Sequence, residues 1–293
     1  MQDNLTRADH LAASNFFLEI ARLTNGPQVQ AFEEEFAAWL GVKYAVMVNS
    51  GSSANLITMA ALRELHGAGE VMVPAITWSS DIMSVLHARL TPVFADIDPY
   101  TLGTDWSRCR SGVLAAFVTH CLGFNALKDE WNKEVVLIED CCEALGATHE
   151  GAKLGTFGLA SNFSFYYAHH LSTIEGGMVC TDNRDFYEAC RMLRSHGLTR
   201  EVSSDENRLY AAETYPDLHP EFIFWRAAYN VRSTEINAVI GRNQLERLDA
   251  NVAARSVNLR TFLAALDPQR YRTRYRLEGS SNYALPLILQ EPD

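Results

Sequence analysis

Short apolar runs alternate with helix-length spacers along most of this chain, and this alternation limits the possible folds more than any other feature. The runs are rich in valine, isoleucine and phenylalanine, and they lie at residues 43–48, 70–75, 91–97, 113–120, 135–140, 161–167 and 177–182. Strands this short and apolar, separated by helical patterns, are typical of a parallel sheet buried on both faces. The sequence therefore predicts an α/β fold with a mostly parallel central sheet and helices on both faces.

The pattern changes near the C-terminal end. From about Ser233 the sequence turns helical, and a rough apolar stripe is formed by Ile236, Ile240, Leu245, Leu248 and Val252. After Pro268 only one more strand-like run follows, at residues 283–289. We expect a large domain over residues 1–245 and the start of a small C-terminal α+β domain over 246–293, which we expect to be incomplete.

Composition excludes several classes of protein. The formal net charge is -11, from 25 Lys and Arg against 36 Asp and Glu, so the chain has no general basic field for nucleic acid. No run approaches 18 apolar residues and the first residues lack a signal-peptide pattern, which predicts a cytoplasmic protein without a membrane span. The six cysteines form no CxxC pair and lie in apolar stretches, so we expect reduced thiols rather than a disulfide framework.

Ligands of open α/β sheets bind beyond the carboxyl ends of the strands, so the residues just after each run are candidates for a site. In "NSGSSAN", Gly51, Ser52 and Ser53 lie between a strand and a helix start, where free amides and the helix dipole can hold a phosphate. A serine-rich helix N-cap without any ligand is an alternative explanation of the same residues. Trp78 follows the run at 70–75, and by itself it reads as a core residue.

The run at 135–140 ends in Glu139 and Asp140, with Glu143 three residues further on. A carboxylate at the end of a buried strand is costly unless a cation or hydrogen-bond donors meet it. A helix cap is one explanation. The protonated ring nitrogen of pyridoxal phosphate is another, because enzymes that use this cofactor commonly place an acidic residue there.

Several motifs occur together in one order: "SGSSAN", "VPAITW", "EDCCEALGA", "SFYYAHHLSTIEGG", "LRSHG" and "YNVRSTEINAVIGRNQLERLD". In this order and approximate spacing they resemble the DegT/DnrJ/EryC1/StrS family of sugar aminotransferases, over roughly residues 25–290. The resemblance implies the fold of aspartate aminotransferase (fold type I) and pyridoxal or pyridoxamine phosphate as cofactor.

His169 stands where that family carries the lysine that forms a Schiff base with the cofactor, counting from Ser164 and Phe165. The chain's four lysines lie outside this motif, so we expect the cofactor to bind without a covalent link. A His–His pair resembles the 3-dehydratase subgroup, which removes the C3 hydroxyl of nucleotide-linked 4-keto-6-deoxy sugars in deoxysugar and lipopolysaccharide biosynthesis. Histidine titrates near neutral pH and can take and return a proton. We expect His169 to be the catalytic base and His170 to be structural.

The resemblance also implies the cofactor-binding residues. Gly51, Ser52 and Ser164 match positions that hold the cofactor phosphate, and Trp78 matches the aromatic residue that stacks on the ring. Asp140 matches the partner of the ring nitrogen.

Two further positions match the family's cofactor site. Glu143 falls on the hydroxyl side of the ring, where the family often has glutamine or histidine. Asn230 matches a residue that reaches the cofactor phosphate of a neighbouring subunit, which implies a homodimer with shared active sites. Ile174 replaces the first glycine of the family's GEGG motif, a change we expect to leave the chemistry intact.

Cysteine spacing separates two kinds of dehydratase. An iron–sulfur enzyme needs several closely spaced cysteine ligands, which this chain lacks, so we expect no cluster, no other metal, and glutamate as the amino donor that regenerates the amine form of the cofactor. Two alternatives stay open: a conventional pyridoxal-phosphate-dependent nucleotide-sugar aminotransferase, and a non-catalytic nucleotide-sugar-binding homologue.

Overall fold

The computed structural model of the chain describes residues 4–18, 22–108, 110–128 and 135–290. Cys109 and Lys133 lie outside these ranges. The α-helices are α1 (Arg7–Leu18), α2 (Pro27–Leu40), α3 (Gly51–His66), α4 (Ser79–His87), α5 (Arg184–Arg194), α6 (Asp205–Thr214), α7 (Glu235–Leu245) and α8 (Leu248–Ala265). The strands are β1 (Tyr44–Val48), β2 (Glu70–Pro74), β3 (Thr91–Ala95), β4 (Ala115–Thr119), β5 (Val136–Asp140), β6 (Thr148–His149), β7 (Ala152–Lys153), β8 (Ala160–Ser164) and β9 (Gly177–Thr181). Short 3-10 helices span Trp106–Arg108, Cys121–Gly123, Thr199–Glu201 and Pro220–Phe222.

Seven strands form one sheet in the order β1-β9-β8-β5-β4-β2-β3. Strand β9 runs antiparallel to both of its neighbours, while the other adjacent pairs are parallel. Each of the seven apolar runs overlaps one of these strands, so the predicted mostly parallel sheet is confirmed. The carboxyl ends of β1, β2, β4, β5 and β8 consequently meet along one edge.

Helices cover both faces of the sheet. Strand β1 shows the alternation directly, because Ala45 and Met47 belong to one apolar core while Val46 and Val48 belong to the other. The first core includes Phe32 and Phe36 of α2. The second is covered by α3 and α5. None of the described helices is long and apolar enough to cross a membrane.

Helix α2 receives its N-terminal cap from a distant residue. Its own cap position, Gly26, has no side chain, and the Glu235 carboxylate instead accepts hydrogen bonds from the amides of Gly26 (2.8 Å), Gln28 (2.9 Å) and Val29 (3.0 Å). Glu235 is the first residue of α7. This contact therefore joins the first turns of two helices that are far apart in sequence.

The C-terminal region differs from the sequence prediction in one element. Residues 283–289 form no strand, and only Leu289 makes an isolated bridge, to Tyr271. Pro286 lacks an amide hydrogen, and the Tyr283 amide instead donates to the carbonyl of Leu122 (3.0 Å). This segment therefore packs on the loop after β4 instead of extending a sheet.

Helix α7 packs on α1 and α2, whereas α8 contributes Leu259 and Leu263 to a separate apolar cluster with Leu102 and Phe124. The division into domains at residues 245 and 246 stays a prediction.

Candidate active site

A cavity of about 450 Å³ lies at the carboxyl edge of the sheet. Seven of the eight residues predicted for the site line it: Gly51, Ser52, Trp78, Asp140, Glu143, Ser164 and His169. The eighth, Asn230, is exposed and is absent from the cavity lining. Residues that are far apart in sequence therefore come together because they follow neighbouring strands.

The N-terminus of α3 forms one end of the cavity. Ser50 caps this helix by accepting a hydrogen bond from the Ser53 amide (3.1 Å). Amides in the first turn of a helix have no carbonyl partner within the helix, and Gly51 and Ser52 in this turn line the cavity. This end of the cavity can hold an anion such as a phosphate.

Gly51 is required by close packing in this turn. A Cβ atom added at Gly51 would lie 2.6 Å from the Cβ of Ser164 and 3.0 Å from the Sγ of Cys142. Any side chain here would collide with β8 and with the loop after β5. The glycine therefore brings the helix N-terminus close to Ser164.

Asp140, the last residue of β5, is buried with 3% exposure. Its Oδ1 accepts a hydrogen bond from the Cys142 amide (2.8 Å), and its Oδ2 accepts one from Asn55 Nδ2 (3.1 Å). Both oxygens therefore act as acceptors, as those of an ionised carboxylate do. This arrangement suits a cationic N–H group in the cavity.

Trp78 lies at the cavity wall with 68% of its surface exposed. So much exposed indole excludes the reading of Trp78 as a core residue. A large apolar ring at the rim of a cavity can stack on a flat ligand.

His169 and His170 occupy different environments. His169 lines the cavity, and its Nδ1 is buried without a hydrogen-bond partner. His170 lies outside the lining, and its Nε2 is 3.0 Å from Ser281 Oγ. Only His169 can reach a molecule in this cavity directly.

Burial dominates the acid–base properties of both histidines. Desolvation lowers the pKa of His169 to about 4, with Asp140 acting to raise it and Arg255 to lower it further. Desolvation lowers the pKa of His170 to about 3, followed by the effects of Arg255 and His169. His169 is therefore a neutral imidazole at pH 7 and can accept a proton.

Glu143 lines the cavity and contacts the loop after β4. Its Oε2 accepts a hydrogen bond from the Leu122 amide (2.6 Å). Burial raises the pKa of Glu143, the Leu122 hydrogen bond lowers it, and the charge of Asp140 raises it. The net effect is that the pKa of Glu143 is raised above that of an ordinary glutamate.

Sequence reasoning missed several residues of the site. Thr77, Thr119 and Tyr283 line the cavity, and Asn55 and Asp81 lie directly behind it. Thr119 ends β4 in register with Asp140, which a closer comparison of strand ends could have indicated. Tyr283 comes from the segment predicted to be a strand, and no sequence motif around it indicated that it belongs to the site.

One buried group of side chains has metal-ligand chemistry. His120, Glu139 and Cys141 place one candidate ligand atom each within 4.8 Å of one another. Glu139 already accepts hydrogen bonds from the amides of Gly155, Phe157 and Gly158, and from His120 (3.2 Å) if that ring nitrogen carries the hydrogen. This carboxylate holds the loop after β7, and nothing about it requires an ion.

The cavity thus combines an anion-binding helix N-terminus, an exposed indole, a buried carboxylate and a neutral imidazole. A flat aromatic cation that carries a phosphate, such as pyridoxal or pyridoxamine phosphate, fits this set of groups. No lysine is among the lining residues within the described ranges.

Comparison with known proteins gives the same family as the motifs. The model of the DegT/DnrJ/EryC1/StrS aminotransferase family matches residues 5–291. A curated GDP-4-keto-6-deoxy-D-mannose 3-dehydratase of Escherichia coli O55:H7 is 34% identical over 280 residues, which cover 91% of this chain and 72% of that protein.

Solved structures agree with this relationship. An E. coli GDP-4-keto-6-deoxy-D-mannose 3-dehydratase with bound hydrated PLP superimposes with a TM-score of 0.85 at 30% identity, covering 99% of this chain and 78% of that one. A GDP-4-keto-6-deoxymannose 3-dehydratase with a trapped PLP-glutamate geminal diamine has a TM-score of 0.83 at 30% identity, covering 96% and 76%. The fold class predicted from the sequence is confirmed.

Proposed function

Because this chain belongs to the DegT/DnrJ/EryC1/StrS aminotransferase family, we propose that it is a 3-dehydratase that acts on a nucleotide-linked 4-keto-6-deoxy sugar with pyridoxal or pyridoxamine phosphate. The relatives named as GDP-4-keto-6-deoxymannose 3-dehydratases support this reaction and make a GDP-sugar the first substrate to test. The pathway would be deoxysugar biosynthesis.

One observation carries the proposal: the lysine position of the family is filled by His169, which lies in the cavity as a buried neutral imidazole. An aminotransferase of this family uses a lysine amine at that position. Among the chain's lysines, Lys128 is paired with Asp98 (2.7 Å) and Lys153 donates to the carbonyl of Trp39 (2.6 Å). These lysines are engaged elsewhere, which favours dehydration over transamination.

The proposed cofactor-binding residues are the ones that line the cavity. Gly51, Ser52 and Ser164 would hold the phosphate, Trp78 would cover the ring, and Asp140 would pair with the ring nitrogen. When bound, pyridoxamine phosphate supplies an amine that condenses with the sugar ketone and a ring that accepts electrons from a breaking C–H bond. Glu143 would lie on the hydroxyl side of the ring.

His169 would then act twice. As a neutral imidazole it takes a proton from the carbon next to the ring, and as an imidazolium it gives that proton to the hydroxyl leaving from C3 of the sugar. Its low pKa makes the imidazolium a strong acid, which suits the second step. The same residue thus removes and returns one proton without a covalent link to the cofactor.

We expect a homodimer in which Asn230 reaches the phosphate site of the partner chain. The exposure of Asn230 and its absence from the lining of the cavity in this chain support this arrangement. Chains carrying His169→Asn and chains carrying Asn230→Ala can be mixed after partial unfolding. Activity should return in the mixture, because one site of each hybrid dimer has both residues. A mixture as inactive as its parts would argue against shared sites.

Glutamate as amino donor and a cytoplasmic location are the remaining parts of the proposal.

The decisive experiment incubates the protein with pyridoxal phosphate, glutamate and a panel of 4-keto-6-deoxy nucleotide sugars that begins with the GDP-mannose derivative. Mass spectrometry should show loss of the C3 oxygen with no nitrogen retained in the sugar. Retention of nitrogen at C4 would instead identify an aminotransferase. Borohydride treatment of the cofactor-loaded protein should leave all four lysines unmodified.

A further inference from the structure

One carboxyl oxygen of Asp81 and the hydroxyl oxygens of Thr77 and Thr119 form a closed triangle of contacts. Thr119 Oγ1 lies 2.6 Å from Asp81 Oδ2, Thr77 Oγ1 makes a short hydrogen bond to the same Oδ2, and the two hydroxyl oxygens lie 2.6 Å apart. Asp81 is fully buried in the first turn of α4. All three oxygen pairs of the triangle are therefore at hydrogen-bond distance.

Counting hydrogens shows what this triangle requires. The two threonine hydroxyls supply two hydrogens, which can occupy only two of the three contacts. If Asp81 were ionised, one pair of oxygens would lie in contact with no hydrogen between them. A proton on Asp81 Oδ2 supplies the third hydrogen, and each oxygen then donates once and accepts once around the ring.

Asn55 connects this ring to Asp140. Its Nδ2 lies 2.6 Å from Asp81 Oδ1 and 3.1 Å from Asp140 Oδ2, so one amide group donates to both carboxyl groups. Asp81 Oδ1 is thereby an acceptor, which agrees with a proton on Oδ2. Asn55 Nδ2 also lies 3.1 Å from Ser80 Oγ, and Asp81 Oδ1 is its shortest contact. The orientation of the Asn55 amide, and with it one hydrogen bond of Asp140, therefore depends chiefly on Asp81.

Electrostatics agree with the hydrogen count. Burial raises the pKa of Asp81 well above its ordinary value, and the charge of Asp140 and a hydrogen bond with it raise the pKa further, against the Thr119 and Thr77 hydrogen bonds. The thiols of Cys121 and Cys142 also lie within electrostatic reach of Asp81. No cation is among the groups that act on this carboxyl within the described residues.

We propose that Asp81 is a positioning residue for Asp140: an uncharged carboxylic acid that closes a hydrogen-bonded ring with Thr77 and Thr119 and, through Asn55, holds the carboxylate that faces the cofactor nitrogen. The uncharged state of Asp81 is independent of the proposed function, whereas its effect on the cofactor rests on that function. A neutral Asp81 avoids placing two negative charges side by side in this buried carboxyl pair.

The uncharged state is tested first on the cofactor-free protein. Difference infrared spectra of wild type and Asp81→Asn at pH 7 should show the carbonyl band of a neutral carboxylic acid in the wild type alone. Because folding raises the Asp81 pKa, the native state binds more protons than the unfolded state. The free energy of unfolding therefore falls as the pH rises above the pKa that Asp81 has in the unfolded chain. Asp81→Asn should therefore melt above the wild type at pH 7, by about 2–4 °C, and the difference should vanish near pH 3.

Asp9→Asn is the matched control, because Asp9 is also buried but pairs with Arg247 (2.5 Å). This variant should melt below the wild type at pH 7. An ionised Asp81 would make Asp81→Asn behave like Asp9→Asn, and that result overturns the proposal.

The effect on Asp140 is tested with ¹⁵N-labelled pyridoxamine phosphate bound to the protein. Asp81→Ala removes the acceptor that orients Asn55, so the ring-nitrogen resonance should move toward the unprotonated form and kcat should fall on the order of tenfold or more with KM little changed. Asp81→Asn should restore most of both values, because it keeps an acceptor for Asn55 and a donor for the ring. Should Asp81→Ala fold poorly, Asn55→Leu provides a second variant, because it removes the amide that connects Asp81 to Asp140.

An unchanged nitrogen resonance in Asp81→Ala, or a failure of Asp81→Asn to restore it, overturns the positioning role. The wild type could show the carboxylic-acid band, and Asp81→Ala the shifted ring-nitrogen resonance, while the wild type dehydrates no sugar of the panel. In that case the role of Asp81 is supported and only the proposed reaction fails.

Discussion

The imidazole ring of His169 lies against the phenol ring of Tyr283, with ring centroids 4.9 Å apart and planes inclined by 34°. Tyr283 lines the cavity and comes from the segment that packs on the loop after β4. One face of the proposed base is thus covered by a residue more than a hundred positions away in sequence.

Removing that cover should shift the pH dependence of the reaction. Burial lowers the His169 pKa to about 4, and Tyr283→Ala admits water, so the pKa should rise toward the ordinary value near 6.5. Because the base must be neutral, the acid limb of the kcat/KM profile should move to higher pH. Tyr283→Phe keeps the ring and should leave the limb in place. An unchanged limb in Tyr283→Ala would show that the ring does not control the desolvation of His169.

His169→Asn should reduce dehydration on the order of 10²–10⁴-fold, the usual contribution of a positioned acid–base residue, while pyridoxamine phosphate still binds. His170→Asn serves as the neighbouring control. His170 lies outside the cavity beside Ser281 (3.0 Å), so its loss should affect stability more than proton transfer. If only the His170 variant lost activity, the assignment of the base would have to move to His170.

Gly51→Ala should abolish tight binding of the cofactor. The added Cβ would approach Ser164 Cβ to 2.6 Å, which forces the α3 N-terminus away from the position where its amides can hold a phosphate. Fluorescence titration with pyridoxamine phosphate measures this loss. Ser53→Ala, in the same turn but outside the cavity lining, should bind the cofactor with nearly wild-type affinity.

Ile174→Gly should stabilise the protein. Ile174 has a φ of 72°, a left-handed conformation that strains β-branched residues and favours glycine. Relief of this strain should raise the free energy of unfolding by about 1 kcal/mol, measurable by urea denaturation. Ile174→Asn should give part of the gain, because asparagine tolerates this conformation better than isoleucine. Equal stability of all three proteins would mean that the backbone relaxes in solution.

Asp9→Asn should lower stability in a pH-dependent way. Burial raises the Asp9 pKa, but Arg247, the Thr6 amide and Asn243 outweigh it, and the net pKa is lowered. A lowered pKa stabilises the folded state above the unfolded value of about 3.9, and this stabilisation is lost as the pH falls. The melting temperatures of wild type and variant should therefore differ at pH 7 and converge below pH 4. A gap that persists at low pH would point to lost packing rather than lost charge.

Local sequence patterns were sufficient for the sheet and for seven residues of the cavity lining. Gly51 and Trp78 lie a few residues after apolar strands and Asp140 ends one, and strand ends converge in this class of fold. Their roles toward the cofactor stay predictions. Trp78 shows the limit of local reasoning, since only the fold reveals that its indole is exposed at a cavity.

Other parts of the site depend on contacts that no local pattern records. From the sequence alone, Asp81 is an ordinary acidic residue in the first turn of a helix. Its proposed role depends on contacts with Thr119 and Asn55, which belong to other elements of the fold. The run at 283–289 has strand-like composition, and the strand prediction was wrong because the Tyr283 amide bonds to a loop. The sequence shows that isoleucine replaces the family's usual glycine at position 174. Only the backbone angle shows why glycine is favoured there, because the φ of Ile174 is 72°.

The Glu235 cap on α2 has a consequence for the order in which the molecule is made. Glu235 follows Gly26 by 209 residues, so α2 leaves the ribosome long before the carboxylate that completes its first turn has been synthesised. During translation the nascent α2 exposes unpaired amides, and its docking with α7 is a late event. Mutations at Glu235 should therefore act on a stage of folding that comes after the synthesis of all the strands of the central sheet.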